Sequence, residues 1–134
     1  MDNISKETVE AYRKAAEQGH ADSQNYLGLM YYTGRGVAED AAEAVKWYRK
    51  AAEQGYASAQ YFLGRMFDTG EGVPEDDVAA YAWWSVAAAS GDEDARKNRD
   101  KIKGRLTPSQ LEKGQVMARE IFERIKKRKA AEGE

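Results

Sequence analysis

Cysteine is absent from all 134 residues, which excludes disulfides and thiolate metal ligands together. Histidine occurs once, at His20, too few for a histidine-cluster metal site. Neither charge sign dominates: 21 Lys+Arg stand against 23 Asp+Glu. A dedicated nucleic-acid binder is normally clearly basic, so that class is disfavoured. No segment reaches the roughly 18 uninterrupted apolar residues that a membrane-spanning helix needs. The amino-terminal run Met1-Asp2-Asn3-Ile4-Ser5-Lys6-Glu7 is polar and acidic, without the basic start and apolar stretch of a secretory signal. The expectation is a soluble cytoplasmic protein, and a mature exported form carrying an added Met1 reads the same way.

The charge that is present is unevenly spread. Met1–Gly91 holds 8 basic and 14 acidic side chains, whereas Asp92–Glu134 holds 13 and 9. Such polarity can orient an approaching partner. The length fits one cooperative domain spanning 1–134.

The dominant feature is repetition. Tyr48-Arg49-Lys50-Ala51-Ala52-Glu53-Gln54-Gly55 repeats Tyr12 to Gly19 without change, 36 residues later. A degraded third copy, Trp84-Ser85-Val86-Ala87-Ala88-Ala89-Ser90-Gly91, follows after another 36. Leu27-Gly28 and Leu63-Gly64, Gly34-Arg35-Gly36 and Gly70-Glu71-Gly72, Ala44 and Ala80, and Trp47 and Trp83 keep the same step. A fixed period of roughly 20–50 residues marks a stack of supersecondary units.

Helical periodicity and caps divide the chain into a half repeat (5–19), two full repeats (20–55 and 56–91), a partial repeat (92–106) and a closing helix (107–130). Ser5 and Asp40 are placed to cap helices. Val9, Tyr12 and Ala16 recur at helical spacing in the first helix, and Gly19 ends it. Ser23, Leu27, Met30 and Tyr31 share one face of the second helix. Gly28 and Gly64 sit mid-helix, where glycine costs about 1 kcal/mol relative to alanine, and read as points where another backbone crosses closely. Ala44, Trp47, Tyr48, Ala51 and Ala52 face inward in the next helix, leaving Glu43, Lys46, Arg49, Lys50 and Glu53 to solvent. In the third unit Arg99-Asp100 replaces the Leu-Gly pair, so the stack is closing. Thr107-Pro108-Ser109-Gln110 is a helix start with a Thr cap, proline in the first turn and Gln three residues on. Leu111, Ala118, Ile121, Phe122 and Ile125 then form an apolar stripe able to cover the last exposed layer.

Motifs that suggest chemistry have simpler readings. Gly34-Arg35-Gly36 lacks the later glycine and the preceding strand of a dinucleotide loop. Asp68, Glu71, Glu75, Asp76 and Asp77 do not keep calcium-loop spacing and read as solvated loop acids. Nothing pairs two carboxylates as glycoside hydrolysis requires. His20 sits at an inter-helix turn, with Tyr56 and Asp92 as its counterparts. The basic run Arg124, Lys126, Lys127, Arg128 and Lys129 opposes the dipole of its own helix end and has no interleaved aromatics for base stacking. No cofactor, metal or catalytic residue is expected.

Ser23, Leu27-Gly28, Tyr31, Gly34-Arg35-Gly36-Val37, Asp40, Ala44, Trp47-Tyr48, Ala51-Ala52 and Gly55 together resemble the Sel1-like repeat family, relatives of the tetratricopeptide repeats. The second unit meets the pattern again, with Phe67 and Trp84 in place of tyrosines. The resemblance covers about Tyr12 to Gly91, and the tail is similar to the closing segment of bacterial members. It implies an all-α, right-handed superhelix of antiparallel helix pairs, about seven helices closed by a C-terminal capping helix, acting as an adaptor for other proteins. Secreted members stabilised by regular cysteines are reported to bind cell-wall-related molecules; this chain lacks those cysteines, and that activity is not carried over. In tetratricopeptide-like stacks the first helix of each unit lines the concave face. Asn25, Leu29, Tyr32, Tyr61, Arg65, Asp68, Lys97 and Lys101 vary between copies, face away from the core and are therefore the expected partner-binding groove. The expected partner is a protein or peptide, with the chain monomeric or weakly oligomeric. A cognate inhibitor or immunity-type role for one specific partner is the alternative, and an enzyme is the alternative of another class.

Overall fold

In the computed structural model, residues 4–133 are described, so Met1, Asp2 and Asn3 of the polar amino-terminal run, and Glu134, lie outside them. The elements are α1 (Lys6–Glu17), α2 (Ala21–Thr33), α3 (Ala41–Glu53), α4 (Ala57–Thr69), α5 (Asp77–Ala89), α6 (Glu93–Lys103) and α7 (Pro108–Glu132). These seven helices, without a strand among the described residues, stack as a repeat superhelix.

The local causes recur every 36 residues. Asp40 and Asp76 take extended backbone before α3 and α5, and each carboxylate accepts from an amide three residues on, satisfying a donor that the helix cannot pair itself. Ser5 does the same for α1 and Asp92 for α6. His20, Tyr56 and Asp92 are successive copies of one N-cap position, and of the three only Asp92 caps with its side chain. The loops close identically: Asp40 N–H donates to Tyr31 O at 2.8 Å, and Asp76 N–H to Phe67 O at 2.9 Å. Gly72, at φ +75°, is the contact between units, for a Cβ there would run into the Ala41 carbonyl at the start of α3.

Within a unit the two helices meet at the mid-helix glycine. What approaches it is an aromatic ring rather than another backbone. A Cβ on Gly28 would lie 2.8 Å from Tyr48 Cδ1, and one on Gly64 would lie 2.5 Å from Trp84 Nε1. Both rings come from the second helix of the same unit, and the missing Cβ lets them lie flat on the first. Leu27, Ala44, Tyr48, Ala51, Ala52, Leu63 and Ala80 are fully buried along this seam.

The closing helix differs from expectation in three ways. Its capping box is present as expected, Thr107 accepting from Gln110 N and Gln110 from Thr107 N. It does not sit on the end of the stack, however. Leu106 and Leu111 seal the α5–α6 end beside Tyr81 and Ile102; then α7 runs along α5 and reaches α3, where Ile121 and Ile125 join the cluster of Val45, Tyr48 and Val86. Its buried stripe also omits Phe122, which is 44% exposed. Gly114 belongs to the stripe instead, because only a glycine admits the Tyr81 ring, whose Cδ1 a Cβ would approach to 2.6 Å. Finally, Glu53 is not left to solvent: Arg124 of α7 grips both its oxygens, at 2.9 and 2.8 Å.

Candidate partner-binding face

The candidate face is built by repetition. Leu29, Arg65 and Lys101 occupy one position of α2, α4 and α6, and Asn25, Tyr61 and Lys97 another. On α2 and α4 these lie roughly opposite the buried Leu27 and Leu63, and on α6 opposite the half-buried Arg99, since residues two apart differ by about 200° around a helix. Tyr61, expected to face away from the core, nevertheless packs against the cluster of Ala80, Tyr81 and Trp84. Asn25, Leu29, Tyr32, Tyr61, Arg65 and Asp68 are half-buried, whereas Lys97 and Lys101 are exposed.

Several of these residues also tie the repeats together. Asn25 Nδ2 reaches Ser58 Oγ at 3.5 Å, linking α2 to α4. The Tyr32 hydroxyl donates to Glu71 Oε1 at 3.3 Å, across to the loop after α4. Asp68 pairs with Arg105, which bonds Asp77 as well; the Asp68 hydrogen bond, more than either charge, raises the Arg105 guanidinium above its ordinary value. The Tyr61 carbonyl accepts from Trp84 Nε1 at 3.0 Å, and its ring meets Phe62 edge-on at 5.4 Å. Tyr32, Tyr61 and Asp68 therefore have structural duties that sequence position alone did not reveal.

Beneath this face lies Tyr48, fully buried and stacked on Phe62 at 5.1 Å. Its hydroxyl has no hydrogen-bond partner. Burial pushes the phenol well above its ordinary value, the neighbouring Tyr32 adds to this, and Arg65 opposes it. Arg65 itself is half-buried and forms no ion pair among the described residues. Lys97 and Lys101 likewise have no pairing carboxylate within salt-bridge distance there, whereas Arg96 is held by Glu93 and Asp100. Arg65 and Lys101 thus have no paired carboxylate, while the Lys97 charge is felt by Glu93 one turn before it.

The basic run of α7 is dispersed by comparison. Arg124 is committed to Glu53 and Arg128 to Glu132. A shallow, open depression on its flank mixes Arg119, Arg124 and Lys127 with Glu120 and Glu123. Among the described residues no cluster of three or more His, Asp or Glu could hold a metal ion, and no helix is long and apolar enough to cross a membrane.

Comparison with known proteins matches the Sel1 repeat at residues 12–20, 21–56 and 57–92. Among solved structures, the chain is similar to c5321, a protective antigen present in uropathogenic Escherichia coli strains and displaying an SLR fold, at 35% identity and a TM-score of 0.88. That match covers 93% of this chain but only 27% of the antigen, so the chain spans about a quarter of that relative. A Sel1 repeat protein from Oxalobacter formigenes is 42% identical over 73% of this chain and 74% of its own, with a TM-score of 0.71. Helicobacter pylori cysteine rich protein B is 27% identical over 70% and 71%, with a TM-score of 0.66. No curated protein sequence matches. The chain belongs to the Sel1 repeat family, whose helical repeats serve as scaffolds for protein–protein interaction.

Proposed function

We propose that this chain is a non-catalytic adaptor that holds a protein segment along the concave face of α2, α4 and α6. The observation that carries the reading is the register of Leu29, Arg65 and Lys101, an apolar residue followed by two cations without acidic partners on successive first helices. A segment with an apolar residue near α2 and carboxylates near α4 and α6 is complementary to that line. Arg65 is the central contact: half-buried arginines surrounded by other contacts are common hot spots, costing about 2 kcal/mol or more when lost. Asn25, Tyr61 and Lys97 widen the surface; Tyr32 and Asp68 hold its edges through Glu71 and Arg105.

The test is affinity capture from the source cell with matched variants. Arg65→Glu combined with Lys101→Glu reverses the charge of the line without touching the core. Lys46→Glu, on the exposed side of α3, is the control. The reading expects one protein captured by wild type and control alike and lost by the double variant, whose helicity is unchanged. Equal capture by all three would remove the face from consideration.

A further inference from the structure

The two complete repeats differ at a buried hydrogen-bond site where their helices join. In the first, Gln24, only 4% exposed, donates from Nε2 to Ala16 O at 3.0 Å. Its Oε1 accepts from Gln54 Nε2 at 2.8 Å, and the same nitrogen donates to Gly19 O at 2.9 Å. The carboxamide of Gln54 thus closes the junction between α1, α2 and α3. Thirty-six residues on, each participant has a counterpart: Gln60, Ala52, Gly55 and Ser90. Gln60, at 1% exposed, keeps its bond to Ala52 O at 3.1 Å. But serine has replaced the glutamine, and its side chain is too short to bridge. Gln60 Oε1 has no partner, and the Gly55 carbonyl receives no side-chain donor.

The space left is a cavity of about 190 Å³, bordered by Gly55, Gln60 and Ser90 and, from α7, by Phe122, Lys126 and Lys129. A buried acceptor without a donor is costly and calls for one. The lysines do not supply it. Lys129 lies against Gly55, its Nζ 2.8 Å from where a Cβ would be, yet it bonds neither Gln60 Oε1 nor the Gly55 carbonyl. Lys126 and Lys129 also have no ion pair among the described residues. Phe122 beside them is 44% exposed.

We propose that this cavity binds a primary carboxamide side chain, Gln or Asn, that a partner chain presents next to a carboxylate. Gln60 Oε1 is covered in the structure, so Lys129, which lies against Gly55, swings aside to admit the amide; its two hydrogens then meet Gln60 Oε1 and the Gly55 carbonyl, reproducing what Gln54 does in the preceding repeat. The carboxylate meets Lys126 and Lys129, and the aliphatic stem lies on Phe122. The site is separate from the Leu29–Arg65–Lys101 line and stands or falls independently of it.

The probe is the peptide acetyl-Gln-Glu-Glu-N-methylamide, titrated into the ¹⁵N-labelled full chain, with acetyl-Leu-Glu-Glu-N-methylamide as its match. The expected result is saturable shifts at the Gln60 side-chain amide, Gly55 and Ser90, with the glutamine peptide binding at least about tenfold tighter, as one or two buried hydrogen bonds allow. Ser90→Gln restores the missing side chain; it should raise the Tm and abolish peptide binding. Ser90→Leu fills the same space without a donor and should not raise the Tm. Equal affinity for the two peptides would leave only attraction to the lysines and overturn the proposal. So would the absence of saturable shifts, or an equal Tm gain from Ser90→Gln and Ser90→Leu, which would mark the cavity as a solvent-filled void.

Discussion

Gly64→Ala sets two known effects against each other. In an exposed helix interior, alanine stabilises relative to glycine by about 1 kcal/mol. Here the new methyl would stand 2.5 Å from Trp84 Nε1, 2.6 Å from Cδ1 and 2.9 Å from Cε2. The indole has nowhere to retreat, being 3% exposed and anchored by its 3.0 Å hydrogen bond to the Tyr61 carbonyl. Overpacking of this kind costs about 1–3 kcal/mol. Displacing the indole also weakens a hydrogen bond that contributes about 1 kcal/mol. After subtracting the propensity gain, the net expectation is a destabilisation of about 1–3 kcal/mol. Urea unfolding followed by far-ultraviolet dichroism and tryptophan fluorescence measures it. Gly104→Ala is the internal control: Gly104 has ordinary helical dihedrals and its Cβ would meet nothing closer than 3.4 Å, so it should be neutral or stabilising by up to about 1 kcal/mol. If Gly64→Ala were as stable as the wild type, the ring-on-glycine seam would not be the packing constraint described above.

Deleting residues from Thr107 onward should strip cover from Val45, Val86 and Tyr81 and give a chain that associates or loses helicity in ultracentrifugation and dichroism; a monomer with α1–α6 intact would mean that α7 adds nothing to the stack. Tyr48→Phe should be neutral or stabilising by about 1 kcal/mol at pH 7, because it removes a buried hydroxyl with no partner. The phenol's folded-state value is raised above its ordinary 10.0, so the unfolded chain releases that proton first as pH rises. The wild type therefore loses stability above pH ~10, and Tyr48→Phe should lose less there; identical alkaline profiles would contradict the assigned burial.

The periodicity makes most of the stack legible in the sequence itself. Leu27 and Leu63, Trp47 and Trp83, and the capping Asp40 lie at copies of one position, and a residue needed twice for the same reason announces that reason. Gly28 and Gly64 were visible as close-approach points, but whether a backbone or a ring approached them depended on Tyr48 and Trp84 in the other helix. The tail was harder because it has no second copy. Nothing in Leu111 to Ile125 says which groove it enters, and Phe122 beside Ile121 offers two overlapping apolar stripes. The Tyr81 ring selects one of them by requiring Gly114. On the candidate face, the register of Leu29, Arg65 and Lys101 was readable, but the commitment of Asp68 to Arg105 spans 37 residues and follows from no local pattern. The change from Gln54 to Ser90 was in plain view; its consequence for Gln60 needed the contact across the junction.

The central claim concerns which face meets the partner. A photoreactive amino acid placed singly at positions 46, 61, 97 and 122, which flank the Arg65 and Lys101 contacts without removing them, followed by irradiation with the captured protein, tests it most directly. The account predicts adducts from 61 and 97 and none from 46. Adducts from 46 or 122 alone would place the partner on α3 or α7 and contradict it.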